Sequence, residues 1–180
     1  MWLRPKFWPT FFALAGLVVL LSLGSWQLQR LAWKNGFLER LQSRMAAAAV
    51  VMPDDPVDLE RFEFRRIFVA GEFDHDREMY LLNRVVNGVV GGNIITPLRR
   101  EGIGSHILVD RGWVPQSLRD LTTRPESQVS RVVTVEAIVR GGHEKNLFTP
   151  DNDPASNDWY FVDPAAMAAV AGIDAPVEYF

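Results

Sequence analysis

The pattern of apolar and polar positions changes character part-way along the chain. Thr10 to Leu28 forms one apolar run, in which Ser22 is the only polar side chain between Phe11 and Leu23. As a helix, nineteen residues rise about 28 Å, close to the roughly 30 Å hydrocarbon core of a bilayer. Nothing later is comparably apolar, so the sequence offers one crossing. Beyond the run, Leu28, Leu31, Leu38 and Leu41 recur with Trp33 and Phe37 near helical spacing, which predicts a stalk continuing towards Ala49. Met52-Pro-Asp-Asp-Pro56 breaks it, because neither proline extends a helix and each restricts the residue before it.

From Arg65 the period becomes that of strands. Ile67, Val69 and Phe73 lead into the turn-like Asp74-His-Asp-Arg77, and Met79 to Val86 resumes the pattern. Asn87-Gly88 then predicts a type I′ hairpin, whose central positions both need positive φ. The returning strand covers Val89 to Pro97, with Gly91-Gly92 marking a bulge or the close approach of another backbone. Arg99 to Gly104 reads as a turn, and Ser105 to Asp110, Ser130 to Arg140 and Trp159 to Val162 as further strands. Asp163-Pro164 opens a helix that Ala165 to Ala171 fills and Gly172 ends, and Pro176 to Phe180 starts another strand. The expected fold is mainly β: an antiparallel β domain, barrel-like or sandwich-like, with one late helix, preceded by a transmembrane helix and helical stalk. The expected divisions are an anchor over 1–28, a stalk over 29–52 and a β domain over 53–180.

A cleaved signal peptide competes with the anchor, since Met1 to Lys6 resembles a basic leader and Ser22-Leu-Gly24 offers small residues for cleavage. Retention is favoured because Trp26, Arg30 and Trp33 stand four and three residues apart and share one face of a continuing helix. Charge sharpens the division. Residues 1–50 carry six Lys or Arg against Glu39 alone, whereas residues 51–180 carry thirteen against twenty-one acids. An acidic domain repels a phosphate backbone, so nucleic acid is not an expected partner, and it should stand clear of anionic headgroups. Arg4 and Lys6 precede the anchor while Arg30, Lys34, Arg40 and Arg44 follow it, a count that by itself favours a cytoplasmic domain.

The absence of cysteine excludes disulfides, thiolate metal sites, Cys-His catalysis and covalent haem attachment. His75, His106 and His143 lack the short spacings of metal ligands and read as surface residues. Four groups could carry function. Trp26, Gln27, Arg30, Trp33 and Lys34 suit a partner surface at the membrane boundary, or an ordinary aromatic belt with basic anchors. Asp110-Arg111-Gly112-Trp113-Val-Pro115 suits a binding rim, or a strand-to-loop corner with a paired Asp-Arg and a buried Trp. Asp151, Asn152, Asp153 and Pro154, with Asn157, Asp158 and Trp159, supply oxygen ligands but lack the glycine and bidentate glutamate of an EF-hand, so turn chemistry leads. No metal site is expected. Asp151 and Asp153 with His143 could form an acid-base set, but no nucleophile or phosphate-loop motif accompanies them.

In order, five blocks resemble the surfeit locus protein 1 family. They are Gly24-x-Trp26-Gln27-x-x-Arg30-x-x-Trp33-Lys34; Phe64-Arg-Arg-x-x-Val69-x-Gly71-x-Phe73; Gly91-Gly-x-Ile-Ile-Thr-Pro97; Leu108-Val-Asp-Arg111-Gly112-Trp113-Val114-Pro115; and Pro150-Asp-Asn-Asp-Pro154-x-x-Asn157-x-Trp159-x-x-x-Asp163-x-x-Ala166-Met167. The resemblance implies a non-enzymatic assembly factor of cytochrome c oxidase in the inner membrane, with its β domain on the periplasmic side. Its implied partners are oxidase subunits, the haem-copper subunit foremost, and its implied cofactor is haem a. The Trp26 to Lys34 face and the Asp110 to Trp113 corner would be the partner or haem-proximal surface. The family pattern continues with further strands, a histidine-bearing segment and a second membrane helix that this sequence lacks, so the β domain is expected to be C-terminally incomplete. A membrane-tethered interaction module without cofactor and a periplasmic hydrolase are the alternatives.

Overall fold

The computed structural model describes residues 6–53, 59–142 and 145–173. The chain divides into two compact units, Met1–Ala46 and Ala47–Phe180.

The first unit is a single helix, α1 (Phe7–Ala46), which runs through Ser22-Leu-Gly24 without interruption and has no buried residue. Forty residues at about 1.5 Å each give roughly 60 Å, twice the thickness of a bilayer core. Its most apolar stretch has a mean hydropathy of 1.9, enough to cross a membrane. The helix ends three residues short of the predicted Ala49. Val50 and Val51, expected in the stalk, form β1 and pair in parallel with Ile67 and Phe68. Consecutive β-branched residues pack better on a pleated surface than in a helix, and the sheet takes them.

The second unit is mainly β. A short turn of helix, α2 (Leu59–Phe62), precedes β2 (Arg66–Phe73), β3 (Met79–Val86), β4 (Val89–Arg100), β5 (His106–Pro115), β6 (Val133–Ile138) and β7 (Asp158–Trp159). Helix α3 (Pro164–Ala171) comes last. All seven strands belong to one sheet. The long ladders are antiparallel: β2 with β4 and β6, β3 with β4, and β4 with β5. Among the described residues, only the two-residue strands β1 and β7 pair in parallel, with β2 and β3 respectively.

Strand β4 organises this sheet. One of its edges carries β5, and the other is shared by β3 at its start and β2 at its end. Its residues are buried almost continuously from Gly91, as expected of a strand covered on both faces. Two cores result. Ile95 and Leu108 join Met79, Leu81, Trp159, Val162 and the Met167-Ala168-Ala171 face of α3. Leu98, Ile107 and Val109 join Met52, Ile67, Val69 and Val139. The β4–β5 ribbon therefore contributes to both cores, one completed by α3 and its approach loop and the other by β2 and β6.

Local signals are realised with small shifts. Asn87 and Gly88 take φ of 51° and 80°, as a type I′ turn requires. The Asp163 side chain accepts from Ala166 N at 3.0 Å to cap α3, and Gly172 closes it at φ 62°. Strand β5 continues to Pro115 rather than stopping at Asp110, while β6 is shorter than predicted at both ends. Strand β7 comprises Asp158–Trp159 rather than Trp159 to Val162, because Asn152 Oδ1 accepts from the backbone N–H groups of Tyr160 and Phe161 and withdraws them from a ladder. The strand expected over Pro176 to Phe180 lies outside the described residues.

Gly91 and Gly92 show why side chains are absent there. A Cβ on Gly91 would meet Val114 O at 2.2 Å and the Trp113 ring at 2.6 Å; one on Gly92 would meet Leu81 O at 2.5 Å. Since those oxygens belong to the ladders themselves, Gly92→Ala should destabilise the domain by about 2–3 kcal/mol in chemical denaturation. Gly88→Ala, which meets no atom within 4 Å but keeps φ at 80°, should cost only about 1 kcal/mol. Equal costs would contradict the close-approach explanation.

Candidate functional site

Two residue sets singled out in sequence lie in the β domain, and the first residues of β3 connect them. Glu78, just before β3, places its carboxylate between two arginines. Its side chain is 9% exposed and that of Arg124 is 5%. Arg124 Nη2 pairs with Glu78 Oε1, and Arg111 Nη1 stands 3.9 Å from Glu78 Oε2. Arg111 also donates through Nη2 to Ser127 O at 2.5 Å and lies over the Phe73 ring, 4.7 Å from its centroid. Burial lowers the Arg111 pKa; the Glu78 charge opposes that shift and Arg124 adds to it. Arg124 further donates through Nε to Leu118 O at 2.6 Å and through Nη2 to Arg119 O at 3.3 Å. A guanidinium has five donors in a fixed fork, and here they tie the irregular segment 116–131 to β3 and β5.

His75 completes this side. Its Nδ1 is 3.3 Å from Arg111 Nη1 and its Nε2 is 3.1 Å from Val129 O. The residue is half-buried inside a polar network rather than on the open surface that its sequence context predicted.

On the other side of Glu78, Asn157 takes a left-handed backbone, φ 56°. Its Nδ2 donates to Glu78 O at 3.0 Å, and its Oδ1 accepts from Trp159 Nε1 at 3.1 Å and Tyr80 N at 3.4 Å. Trp159 is fully buried. Arg119 donates to Ser156 O and Asn157 O at 2.8 and 3.0 Å, approaches Asp158 Oδ1 at 2.7 Å and covers the Tyr80 ring at 4.8 Å. The Tyr80 hydroxyl is buried without a hydrogen-bond partner, and burial raises its pKa above 10.0 against the pull of Arg119 and Arg124. An open cleft of about 560 Å³, lined by His75, Glu78, Tyr80, Gln116, Arg119 and Asn157 among others, fronts the network.

The remaining predicted positions have distinct tasks. Asp110 accepts from Asn93 Nδ2 at 3.0 and 2.8 Å and from Gly112 N at 2.9 Å, holding the irregular β4–β5 register where Gly112 has φ 103°. Trp113 Nε1 donates to Arg84 O at 3.1 Å, and its ring covers Gly91. Thus Trp113 is a half-exposed cross-strand cover rather than the buried tryptophan of a corner; the buried one is Trp159. Asp153 accepts from Ser156 Oγ at 2.8 Å and Ala155 N at 3.2 Å, bonds that hold its carboxyl pKa below the ordinary value. Asn152 holds Tyr160 and Phe161, whereas Asp151 is exposed and pairs with Lys145. Pro154 starts the short turn between Asp153 and Asn157. His143 lies outside the described residues, and among those described no group of three potential ligands could hold a metal ion.

In the first unit, Arg30 lies over the Trp26 ring at 5.5 Å, and Trp33 stacks on Phe37 at 6.1 Å. Helical geometry puts these four on one face, with Gln27 and Lys34 together beside it. Trp26 and Trp33 are 49% and 68% exposed.

The SURF1 family profile matches residues 14–180. The chain belongs to the SURF1 family. It is 35% identical to Surfeit locus protein 1 of Xenopus tropicalis over 172 residues, covering 87% of this chain and 56% of that protein. For the protein of the same name in Mus musculus the identity is 35% over 167 residues, 85% and 55% of the two chains. For that of Homo sapiens it is 33% over 172 residues, 87% and 57%. The chain thus spans a little over half the length of these relatives.

Sequence reasoning singled out Arg111, Asn157 and Trp159 but missed Glu78, Arg119 and Arg124. The last two sit in turns without periodicity, and Glu78 precedes a strand as any surface acid might.

Two outcomes follow. Asn157→Ala should cost about 2–4 kcal/mol, through lost buried bonds and a left-handed backbone, and Asn157→Gly should recover about 1 kcal/mol of it in urea unfolding. Tyr80→Phe should be neutral or stabilising by about 1 kcal/mol at pH 7, because it removes a buried hydroxyl with no partner. A raised folded-state pKa leaves stability intact below the unfolded value and erodes it as pH rises through and above 10. The wild type should therefore lose stability in that alkaline range and Tyr80→Phe should lose less.

Proposed function

We propose that this SURF1-family chain is a membrane-anchored assembly factor for cytochrome c oxidase, assisting maturation of the haem-copper subunit through protein contact. The observation that carries this reading is the Trp26-Arg30-Trp33-Phe37 face of α1. It begins at the end of the apolar stretch and runs past it, and its rings and charges remain exposed instead of packing into a core. Such a face suits the transmembrane helix of a partner, since aromatic and arginine side chains dominate binding energy when desolvated. In this reading α1 sits in the inner membrane and the β domain on the periplasmic side, against the bare Lys and Arg count at the helix ends.

Direct axial ligation of haem a does not fit the described residues. Both His75 ring nitrogens face partners, Arg111 and Val129 O. His106 lines an open cleft with Glu72, Asp74, Asp76 and Arg99, a charged surface rather than the apolar slot a macrocycle needs. The proposed role therefore rests on holding protein, with no bond chemistry by the chain itself. Hydrolysis has no comparable support: Asp151 is exposed and paired with Lys145, and Asp153 caps a turn.

In a strain lacking its own copy, wild-type protein should restore oxidase activity and co-purify the haem-copper subunit. The quadruple replacement of Trp26, Arg30, Trp33 and Phe37 by alanine should lower both by about tenfold or more, each lost anchor contributing 1 kcal/mol or above, at unchanged protein level. Full activity and capture in that variant would refute the reading.

A further inference from the structure

The hairpin joining β3 to β4 ends in a tip that water should not favour. Val85, Val86, Val89 and Val90 are 63%, 41%, 49% and 55% exposed. They form the cross-strand pairs Val85–Val90 and Val86–Val89 around the Asn87-Gly88 turn. Because neighbouring positions point to opposite faces, each face of the ribbon carries one valine pair. Covering one face with a partner would leave the other wet.

Three further facts select the occupant. The valines expose roughly 300 Å², far below the ~800 Å² that each side of a stable protein interface buries. A domain already tethered to a bilayer needs only a small added contact, because the tether makes that contact effectively intramolecular. Finally, Arg84 is the only charged residue between Leu81 and Thr96. In a domain with twenty-one acids from residue 51 onward, this stretch presents an apolar tip backed by one exposed cation and no carboxylate. That order, apolar at the end and basic one step behind, matches the acyl boundary and the phosphate layer of a lipid leaflet.

We propose that the Val85–Val90 tip inserts into the lipid surface and gives the β domain a second membrane contact. The proposal rests on the reading of α1 as membrane-spanning. It is compatible with an acidic domain that avoids anionic headgroups, since the contact is local and apolar and does not require an anionic lipid.

The cysteine-free chain allows single-site labelling. Val86→Cys, Glu101→Cys and Val19→Cys variants of the 180-residue chain would each carry an environment-sensitive fluorophore in phosphatidylcholine vesicles, with spin-labelled lipid or aqueous iodide as quencher. The label at 86 should shift to the blue, lose at least about half its emission to the lipid quencher and resist iodide, as an interfacial group does. The label at 101, on the turn at the opposite end of β4, should be quenched by iodide alone. A lipid-quenched label at 19 beside an iodide-quenched label at 86 would overturn the insertion while leaving the anchor intact. A blue-shifted label at 86 that lipid does not quench would overturn it in favour of a protein partner or a second copy. A label at 19 insensitive to lipid would overturn the anchor and the insertion together.

Discussion

The β domain depends on one carboxylate held between two guanidinium groups at the start of β3. Glu78, Arg111 and Arg124 come from a strand entry, a strand and an irregular turn, and their side chains are 9%, 18% and 5% exposed. An acid buried alone would be expensive, and two arginines buried without it would be more so. Together they fix the segment 116–131, which lacks a ladder of its own, and they align Glu78 O to receive Asn157 Nδ2. The C-terminal loop, with Trp159 at the centre of one core, is thereby tied to the same point. The strand entry, the irregular segment 116–131 and the C-terminal loop, of which only the first and last share a two-residue ladder, meet on one residue.

This polar junction works because β4 has already placed the strands. A strand buried on both faces divides the interior into two apolar cores, and its junction with β3 puts Met79, Tyr80 and Leu81 opposite Ile95, Ile94 and Asn93. Gly91 and Gly92 let the neighbouring backbones approach closely. The ladder sets positions to a fraction of a residue, and only then can a guanidinium fork meet several carbonyls at once.

How much was legible in the sequence follows from the range of each interaction. The apolar run, the Asn87-Gly88 turn, the Asp163 cap and the Gly172 stop depend on neighbours within a few residues, and they emerged with nearly correct limits. Strand β1 was missed because an alanine run before two valines has no local stop signal; pairing with Ile67 and Phe68 decides it. The site was half legible. Arg111 and Asn157 stood out in dense polar-aromatic clusters, but that Glu78 joins them depends on contacts spanning tens of residues. The same holds for the burial of the tryptophans: cross-strand Gly91 leaves Trp113 a shelf near the surface, while β7 carries Trp159 into the core.

The most direct test of the central junction is the unfolding free energy of Glu78→Gln, measured with amide hydrogen exchange on the full chain. Removing the charge while keeping the volume leaves the buried Arg124 and the half-buried Arg111 without their counter-charge, so stability should fall by about 3 kcal/mol. Protection should be lost together in segments 116–131 and 152–159. Unchanged stability, or loss of protection confined to β3, would contradict the account.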